Sequence, residues 1–442
     1  MKYVIVGNSY SGLSCADAIR RFDKTGEITI ISDESYKAYA RPLISYYLEG
    51  KTTDETIWYK DDDYYEKNNY KTLFGKKVIS VDTTRKKVEL DDNTSLEYDK
   101  LFIGPGGAPF VPPIEGFNAD SPMMGTFTKY DDAKKMEKGA KLAKHKEAIV
   151  IGGGLIGLKA SEGLRALDMH VTIAELLPRV LGLALDEISG NITAKKLNEN
   201  GIDTATNDTV VKINIDEAGN PTSVIMKSGR ELVADIVIVA IGVRPNVGFL
   251  EGSGITIDRG IIVDKTMMTN IKDVYAGGDA IVSYDILNKK PNIIAIVPLA
   301  CEQGRVAGTN MAGIYREYYG GMGLNSVEIY GLPIVTIGLT NPNNPSQTVF
   351  IHQEGETIYR KLVYDGEVLV GAILLGDIAG SGILSAIIRQ GVKCLKYKDE
   401  FLKGNIYSFV IDSEFEVYNI NEGYAIRGDF EDIPQFSRSN WR

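Results

Sequence analysis

Short continuous apolar runs, four or five residues long, recur along the chain, and four of them fall into two pairs: residues 3–6 with 27–31, and 148–151 with 171–174. Runs of this length bounded by turn residues read as strands buried on both faces, the habit of a parallel sheet. The last third is patterned differently. Residues 327–338 and 359–376 alternate apolar and polar positions and predict half-buried strands, with Asp365-Gly366 as a tight hairpin turn. Residues 380–390 predict a helix. The chain therefore reads as α/β over most of its length, followed by a separate α+β unit.

The first strand of each pair ends in a glycine-rich turn. Gly7-Asn8-Ser9-Tyr10-Ser11-Gly12 follows the first, and Gly152-Gly153-Gly154-Leu155-Ile156-Gly157 follows the second, 145 positions later. A strand, a tight turn and a helix N-terminus present backbone N–H groups and a positive dipole end to a pyrophosphate. Ser9 replaces the middle glycine, a small enough change for the loop still to approach phosphates. Each second strand is followed by acid. Asp33 is the first choice for the ribose hydroxyls at the first site, with Glu34 in reserve. Glu175, 23 positions after Gly152, has that place at the second. A carboxylate there favours a free 2′-hydroxyl and repels a 2′-phosphate, so NADH is expected over NADPH, with Arg179 the residue that could spoil this. Two such units suggest two dinucleotides on one polypeptide.

Composition narrows the class. The 442 residues are too many for one core, and the 44% hydrophobic and 24% charged fractions are those of an ordinary globular protein. A formal charge of -10 argues against a general nucleic-acid or anionic-membrane binder, and no apolar run is long enough to cross a bilayer. A cytoplasmic protein is expected. The three cysteines (Cys15, Cys301, Cys394) form no C-x-x-C pair, and the three histidines have no ligand spacing. A metal site and an iron–sulfur cluster held wholly by this chain are not expected. Cys15, at helical spacing behind the first loop, reads as a packing residue.

Further along, Val274-Tyr275-Ala276-Gly277-Gly278-Asp279 reads as a strand ending where two glycines let backbone pass close to a ligand, with Asp279 placed for a ribityl hydroxyl. With this motif the chain resembles the two-dinucleotide flavoprotein family with a glutathione-reductase-like fold. Leu101-Phe102-Ile103-Gly104-Pro105-Gly106-Gly107 is similar to that family's first connection between domains. Val237 to Asn246, containing Gly242, is similar to its second. The resemblance implies FAD at the first loop and NAD(H) at the second. It also implies that the helix beginning near Pro298 faces the flavin, with the Leu299 and Ala300 amides as contacts.

Thiol-using members of this family carry a cysteine where this chain has Pro42. The run Tyr39-Ala40-Arg41-Pro42-Leu43-Ile44-Ser45 instead resembles rubredoxin and ferredoxin reductases and the flavin portion of assimilatory nitrite reductases. That likeness implies that Arg41 binds the FAD pyrophosphate or adenosine region. Many ferredoxin reductases place a lysine near the flavin after the serine; Tyr46 is the candidate for that position here.

The expected organisation is two Rossmann-like dinucleotide-binding domains and a C-terminal α+β interface or dimerisation domain. The FAD domain takes 1–115 and 247–322, the NAD domain 116–246, and the interface domain 323–442. The resemblance implies an FAD-dependent NADH:acceptor oxidoreductase working with an iron–sulfur or rubredoxin/ferredoxin-type partner, as a homo-oligomer or as a subunit of a larger redox enzyme. A freestanding NADH oxidase and an NADH-sensing flavin scaffold are the alternatives. Lys134, Lys135, Lys138, Lys141, Lys144 and Lys146 read as a solvated helix face to which an acidic carrier could be steered. The aromatic C-terminal segment from Tyr397 to Arg442 reads as a strand pair completing the domain with a frayed tail, or else as a docking arm for another subunit.

Overall fold

The parallel strands expected from the apolar runs are assembled into two five-stranded sheets of the same design. A computed structural model describes residues 1–406 apart from Asn343. Its first sheet runs, in spatial order, Val274–Ala276, Lys100–Ile103, Lys2–Val6 (β1), Glu27–Ser32 (β2) and Tyr70–Phe74, every pair parallel. The second runs Ile202–Thr206, His170–Glu175, Glu147–Ile151, Ile236–Val239 and Met124–Gly125, again all parallel. Each sheet is accompanied by a three-stranded antiparallel meander, Val78–Asp82 to Ser95–Glu97 in one case and Val210–Ile215 to Glu231–Val233 in the other. The sheets are interleaved in sequence, because the edge strand of the first is contributed only after the second is complete.

Both sheets belong to one compact unit, Met1–Leu183 with Gly190–Gly323. Its core is filled by the central strands, with Ile5, Ile28, Ile30 and Phe102 fully buried. The helix after the first loop, Tyr10–Phe22 (α1), lies against the helix Val297–Met311. The crossing is close because Gly304 and Gly308 carry no side chain. A Cβ on Gly304 would overlap the Ser11 carbonyl, and one on Gly308 would overlap that of Cys15. Cys15 is fully buried there, in the packing role expected for it, with its thiol pushed up by burial.

The second unit comprises Ala184–Ser189 and, among the described residues, 324–406. It is built on a five-stranded antiparallel sheet ordered Leu324–Ile329, Leu332–Gly338, Val368–Leu375, Ile358–Asp365, Gln347–Glu354. The expected hairpin is present, with Gly366 in the left-handed region at φ 59°. The expected helix spans Ser381–Gln390. Residues 327–338 fall in two strands, Leu324–Ile329 and Leu332–Gly338, separated where Tyr330 and Gly331 both turn through positive φ. The edge strand Gln347–Glu354 was not anticipated; it is polar and half-exposed, so its alternation carries little signal. Within this unit Tyr359 donates to Asp186 at 2.5 Å, and Lys361 pairs with the same carboxylate at 3.1 Å.

The lysine run does not form one basic face. The helix Tyr130–Leu142 ends before Lys144 and Lys146. Lys134 lies 4.1 Å over the Tyr130 ring, Lys135 donates to the Ala119 carbonyl, and Lys141 pairs with Glu137. Side chains committed to local partners make a poor steering patch. Most of the proposed docking arm, including Phe436 to Arg442, lies outside the described residues. No helix among the described residues is long and apolar enough to cross a membrane.

Candidate functional site

Each glycine loop is closed by the same steric device. Gly7 turns the chain off β1 at φ +116°, and Gly152 does so off Glu147–Ile151 at φ +110°. A Cβ on Gly12 would overlap the Gly7 carbonyl oxygen, and one on Gly157 would overlap that of Gly152. Only glycine at these places lets the helix begin directly over the strand end, which points the first-turn N–H groups, left without intrahelical partners, out of the sheet. Ser9 and Gly154 occupy equivalent positions just before the two helices. Around Gly154 a Cβ would meet nothing within 4 Å, which explains how a serine is accommodated at the first loop. Tyr10 and Ser11 open α1, and Leu155 and Ile156 open Leu155–Ala166. The Tyr10 ring packs edge-on against Tyr59, with centroids 4.7 Å apart, and burial pushes its phenol up to about 12.

At the second loop Glu175 is the last residue of its strand. Its carboxylate accepts the Gly153 N–H at 2.6 Å and the Leu177 N–H at 2.7 Å. That locks it beside the turn, with lone pairs left over for further donors. The Arg179 stem runs along the helix Glu187–Asn198, where a Cβ on Gly190 would lie 2.9 Å from its Cδ.

The first loop differs in its acid. Gly7 donates to the Ile31 carbonyl just as Gly152 donates to that of Ala174, so Ser32, not Asp33 or Glu34, stands where Glu175 stands. Asp33 is exposed and pairs with Lys129 at 2.8 Å. Glu34 is buried, joined to Arg41 by an ion pair and to Tyr39 by a hydrogen bond. Aligning the two strand–loop–strand units residue by residue would have shown this displacement; a search for an acid near the strand end could not.

Two further segments, at Gly278 and at Arg41, approach the first loop. Gly278, at φ +79°, is packed so closely that a Cβ would lie 2.9 Å from Ser11 Oγ, and its N–H donates to Gln303 Oε1 at 2.8 Å. The half-buried Asp279 is pushed up by burial, opposed by the charge of Arg41, and it accepts no hydrogen bond among the described residues. Such a carboxylate suits a hydroxyl donor. Arg41 opens the short turn Arg41–Leu43, with exposed Pro42 second in it. The two connecting segments pair antiparallel, Gly107–Pro109 with Val243–Pro245, and are flanked by Gly106 at φ +72° and Gly242 at φ +115°.

One expectation about the helix start changes. The Ala300 N–H is donated to the Ile296 carbonyl at 3.1 Å, as the first intrahelical bond, so it is not available to a ligand. Leu299, one residue earlier, lies in the turn that leaves N–H groups without intrahelical partners. Tyr46 lies on the helix Ile44–Leu48 (α2), which packs against Leu155–Ala166. Its ring has Lys159 and Lys51 each 5.1 Å from the centroid, a setting the sequence did not reveal. Among the described residues no group of His, Cys, Asp or Glu could hold a metal ion.

This geometry agrees with sequence comparison. The family model for pyridine nucleotide-disulphide oxidoreductases matches residues 1–304, and that for the rubredoxin NAD+ reductase C-terminal domain matches residues 324–392. The chain belongs to the pyridine nucleotide-disulphide oxidoreductase family. It is thus an NAD(P)H oxidoreductase of a family that binds FAD and NAD(P)H. It is 30% identical over 407 residues to the NADH-dependent phenylglyoxylate dehydrogenase subunit epsilon of Aromatoleum evansii, covering 91% of this chain and 94% of that one. It is 32% identical over 389 residues to nitrite reductase [NAD(P)H] of Bacillus subtilis, covering 88% of this chain but only 47% of that protein. The solved NADH:rubredoxin oxidoreductase of Clostridium acetobutylicum matches with a TM-score of 0.73 at 28% identity, over 89% of this chain and 96% of that one. The two glycine traps suit two pyrophosphates, and the unbonded Asp279 carboxylate beside Gly278 suits a hydroxyl-bearing chain at the first of them.

Proposed function

We propose that the protein is an FAD-dependent oxidoreductase that takes electrons from NADH and exchanges them with an iron–sulfur or rubredoxin/ferredoxin-type protein. It could serve as the NAD-linked subunit of a larger enzyme, in line with the dehydrogenase subunit and the longer nitrite reductase among its relatives. The observation that carries the reading is the repetition of one glycine trap at the ends of two interleaved sheets, without a thiol at position 42 to relay electrons. Bound together, flavin and nicotinamide supply the redox chemistry, a two-electron exchange with NADH and one-electron exchange with the carrier.

This chain's residues bind and orient. Gly7, Ser9, Tyr10, Ser11 and Gly12 receive the FAD pyrophosphate, with Arg41 adding charge-assisted hydrogen bonds. Gly278 and Asp279 take the ribityl chain, and the N-terminal turn of Val297–Met311 at Leu299 meets the flavin with its positive dipole end. Gly106 and Gly242, at φ +72° and +115°, let the two connections turn. Gly152, Gly154, Leu155, Ile156 and Gly157 receive the NADH pyrophosphate, and Glu175 its adenosine ribose. The Gly153 and Leu177 amides hold that carboxylate in place beside the turn, which supports NADH over NADPH. Hydride transfer under these conditions depends on alignment and needs no side-chain nucleophile.

The test is spectroscopic. Purified protein should be yellow, and stoichiometric NADH under argon should bleach it faster than NADPH does. A rubredoxin or a plant-type ferredoxin added next should be reduced and the colour restored. Colourless protein that will not take up FAD, or flavin that NADH leaves oxidised, refutes the proposal. Rapid return of colour with oxygen but not with either carrier favours the oxidase alternative.

A further inference from the structure

One side chain outside the glycine loops, that of Tyr39, is hydrogen-bonded to three residues beside the first site. Tyr39 is 5% exposed, and its hydroxyl uses its full bonding capacity. It donates to Glu34 Oε2 at 2.7 Å and accepts from Arg41 Nη1 at 3.0 Å and from the backbone N–H of Tyr130 at 3.1 Å. Arg41 also donates to the Thr128 carbonyl at 3.3 Å, two residues before Tyr130. Burial pushes the Tyr39 phenol up, so it keeps its proton and stays a donor to Glu34.

The partners lie on opposite sides of the fold's internal division. Glu34 follows β2 of the first sheet. Tyr130 begins the helix Tyr130–Leu142, which packs on the second sheet; a Cβ on its Gly139 would sit 3.6 Å from Ile236. Around the hydroxyl, the Tyr130 ring is enclosed by Tyr36, Tyr39 and Tyr47 at centroid distances of 5.5, 5.6 and 5.1 Å. Tyr36 reaches the next residue of the helix, donating to Asp131 at 2.8 Å. The segment carrying Tyr39 and α2 is therefore one part of the first half that grips the second.

We infer that Tyr39 is a positioning residue for hydride transfer: its hydroxyl ties Arg41 and Glu34 to the first residue of the Tyr130–Leu142 helix, so that filling the first dinucleotide site sets the placement of the second sheet. The inference rests on the assignment of the first loop and Arg41 to FAD. An anionic pyrophosphate drawing on the guanidinium redistributes the N–H groups Arg41 shares with Tyr39 and Thr128, and the change is felt at the Tyr130 amide.

Two measurements on the full chain test it. In the wild type, FAD loading should slow hydrogen exchange of the amides of residues 128–132 by roughly fivefold or more, the range of a small local-opening change. In FAD-loaded Tyr39→Phe the rate of flavin reduction at saturating NADH should fall roughly tenfold, while half-saturation by NADH stays within about twofold, as misalignment without lost binding requires. Exchange that is indifferent to FAD in the wild type overturns the inference, and so does a Tyr39→Phe enzyme that melts earlier but reduces its flavin at the wild-type rate. Should the variant not fold, the wild-type exchange result still decides. Failure of the wild type to take up FAD would instead refute the proposed function.

Discussion

Gly157→Ala separates folding from nucleotide binding within one loop. The added methyl would overlap the Gly152 carbonyl oxygen, with the carbonyl carbon at 3.0 Å and Val150 Cγ1 at 3.5 Å. The helix start must therefore lift off the strand end. Overpacking of this kind costs about 1–3 kcal/mol, and alanine returns about 1 kcal/mol of helix propensity. The net cost is about 0–2 kcal/mol, a lowering of Tm by roughly a few degrees for a unit of this size. NADH use should suffer at least as much, because displacing the pyrophosphate cradle by about 1 Å costs on the order of 100-fold, or about 2.7 kcal/mol. FAD sits on the other loop and should be retained. The assay is flavin content per chain, followed by anaerobic titration with NADH and the rate of bleaching at each concentration. Full flavin content with NADH half-saturation raised at least roughly tenfold is the expected result. An NADH titration within twofold of the wild type would refute the steric account of this loop. Gly154→Ala is the control: with nothing within 4 Å of its Cβ, it should leave Tm unchanged.

Glu175→Ala should weaken NADH use and narrow its advantage over NADPH by roughly tenfold, read as the ratio of kcat/KM values, since the carboxylate's repulsion of a 2′-phosphate is lost; an unchanged ratio would show that another residue selects the nucleotide. Gly304→Ala should force α1 away from Val297–Met311, lowering Tm and the flavin retained through dialysis, because a Cβ there overlaps the Ser11 carbonyl; full flavin retention would contradict this. Asp208 accepts from the Ser228 hydroxyl at 2.6 Å and from the Ser228 and Thr209 amides, and the Ser228 hydrogen bond is the largest influence lowering its pKa. A depressed folded-state pKa stabilises the fold above the unfolded value of about 3.9, and that contribution disappears as pH falls through the folded value. Ser228→Ala should therefore cost stability in urea unfolding at pH 7 and progressively less below about pH 4; an equal loss at pH 7 and pH 3 would refute the linkage.

Much of the site was legible because its chemistry is local. A parallel strand buried on both faces leaves an apolar run, and a helix that begins over a strand end admits only glycine at Gly7, Gly12, Gly152 and Gly157. Both constraints act within about ten residues and so are written contiguously. The place of Glu175 followed from the same short geometry. Near the first loop this logic failed by one residue: the strand delivers Ser32 to the position of Glu175, and the acids beyond it turn to Lys129 and Arg41.

By itself, then, the sequence determined the two dinucleotide loops, the strands that carry them, the α+β unit after them and the absence of a thiol where Pro42 stands. Tertiary structure alone decided which polar groups meet. Tyr39 and Tyr130 are 91 residues apart, and nothing in either neighbourhood names the other. The Ala300 amide was assigned to a ligand until the helix start showed it bonded to Ile296, and the lysine run looked like one surface until Lys134 and Lys135 found separate partners. Periodicity and turn chemistry are short-range properties. The partner of a buried hydroxyl or carboxylate is settled only when distant segments pack, because each such group must find a donor or acceptor wherever the fold brings one.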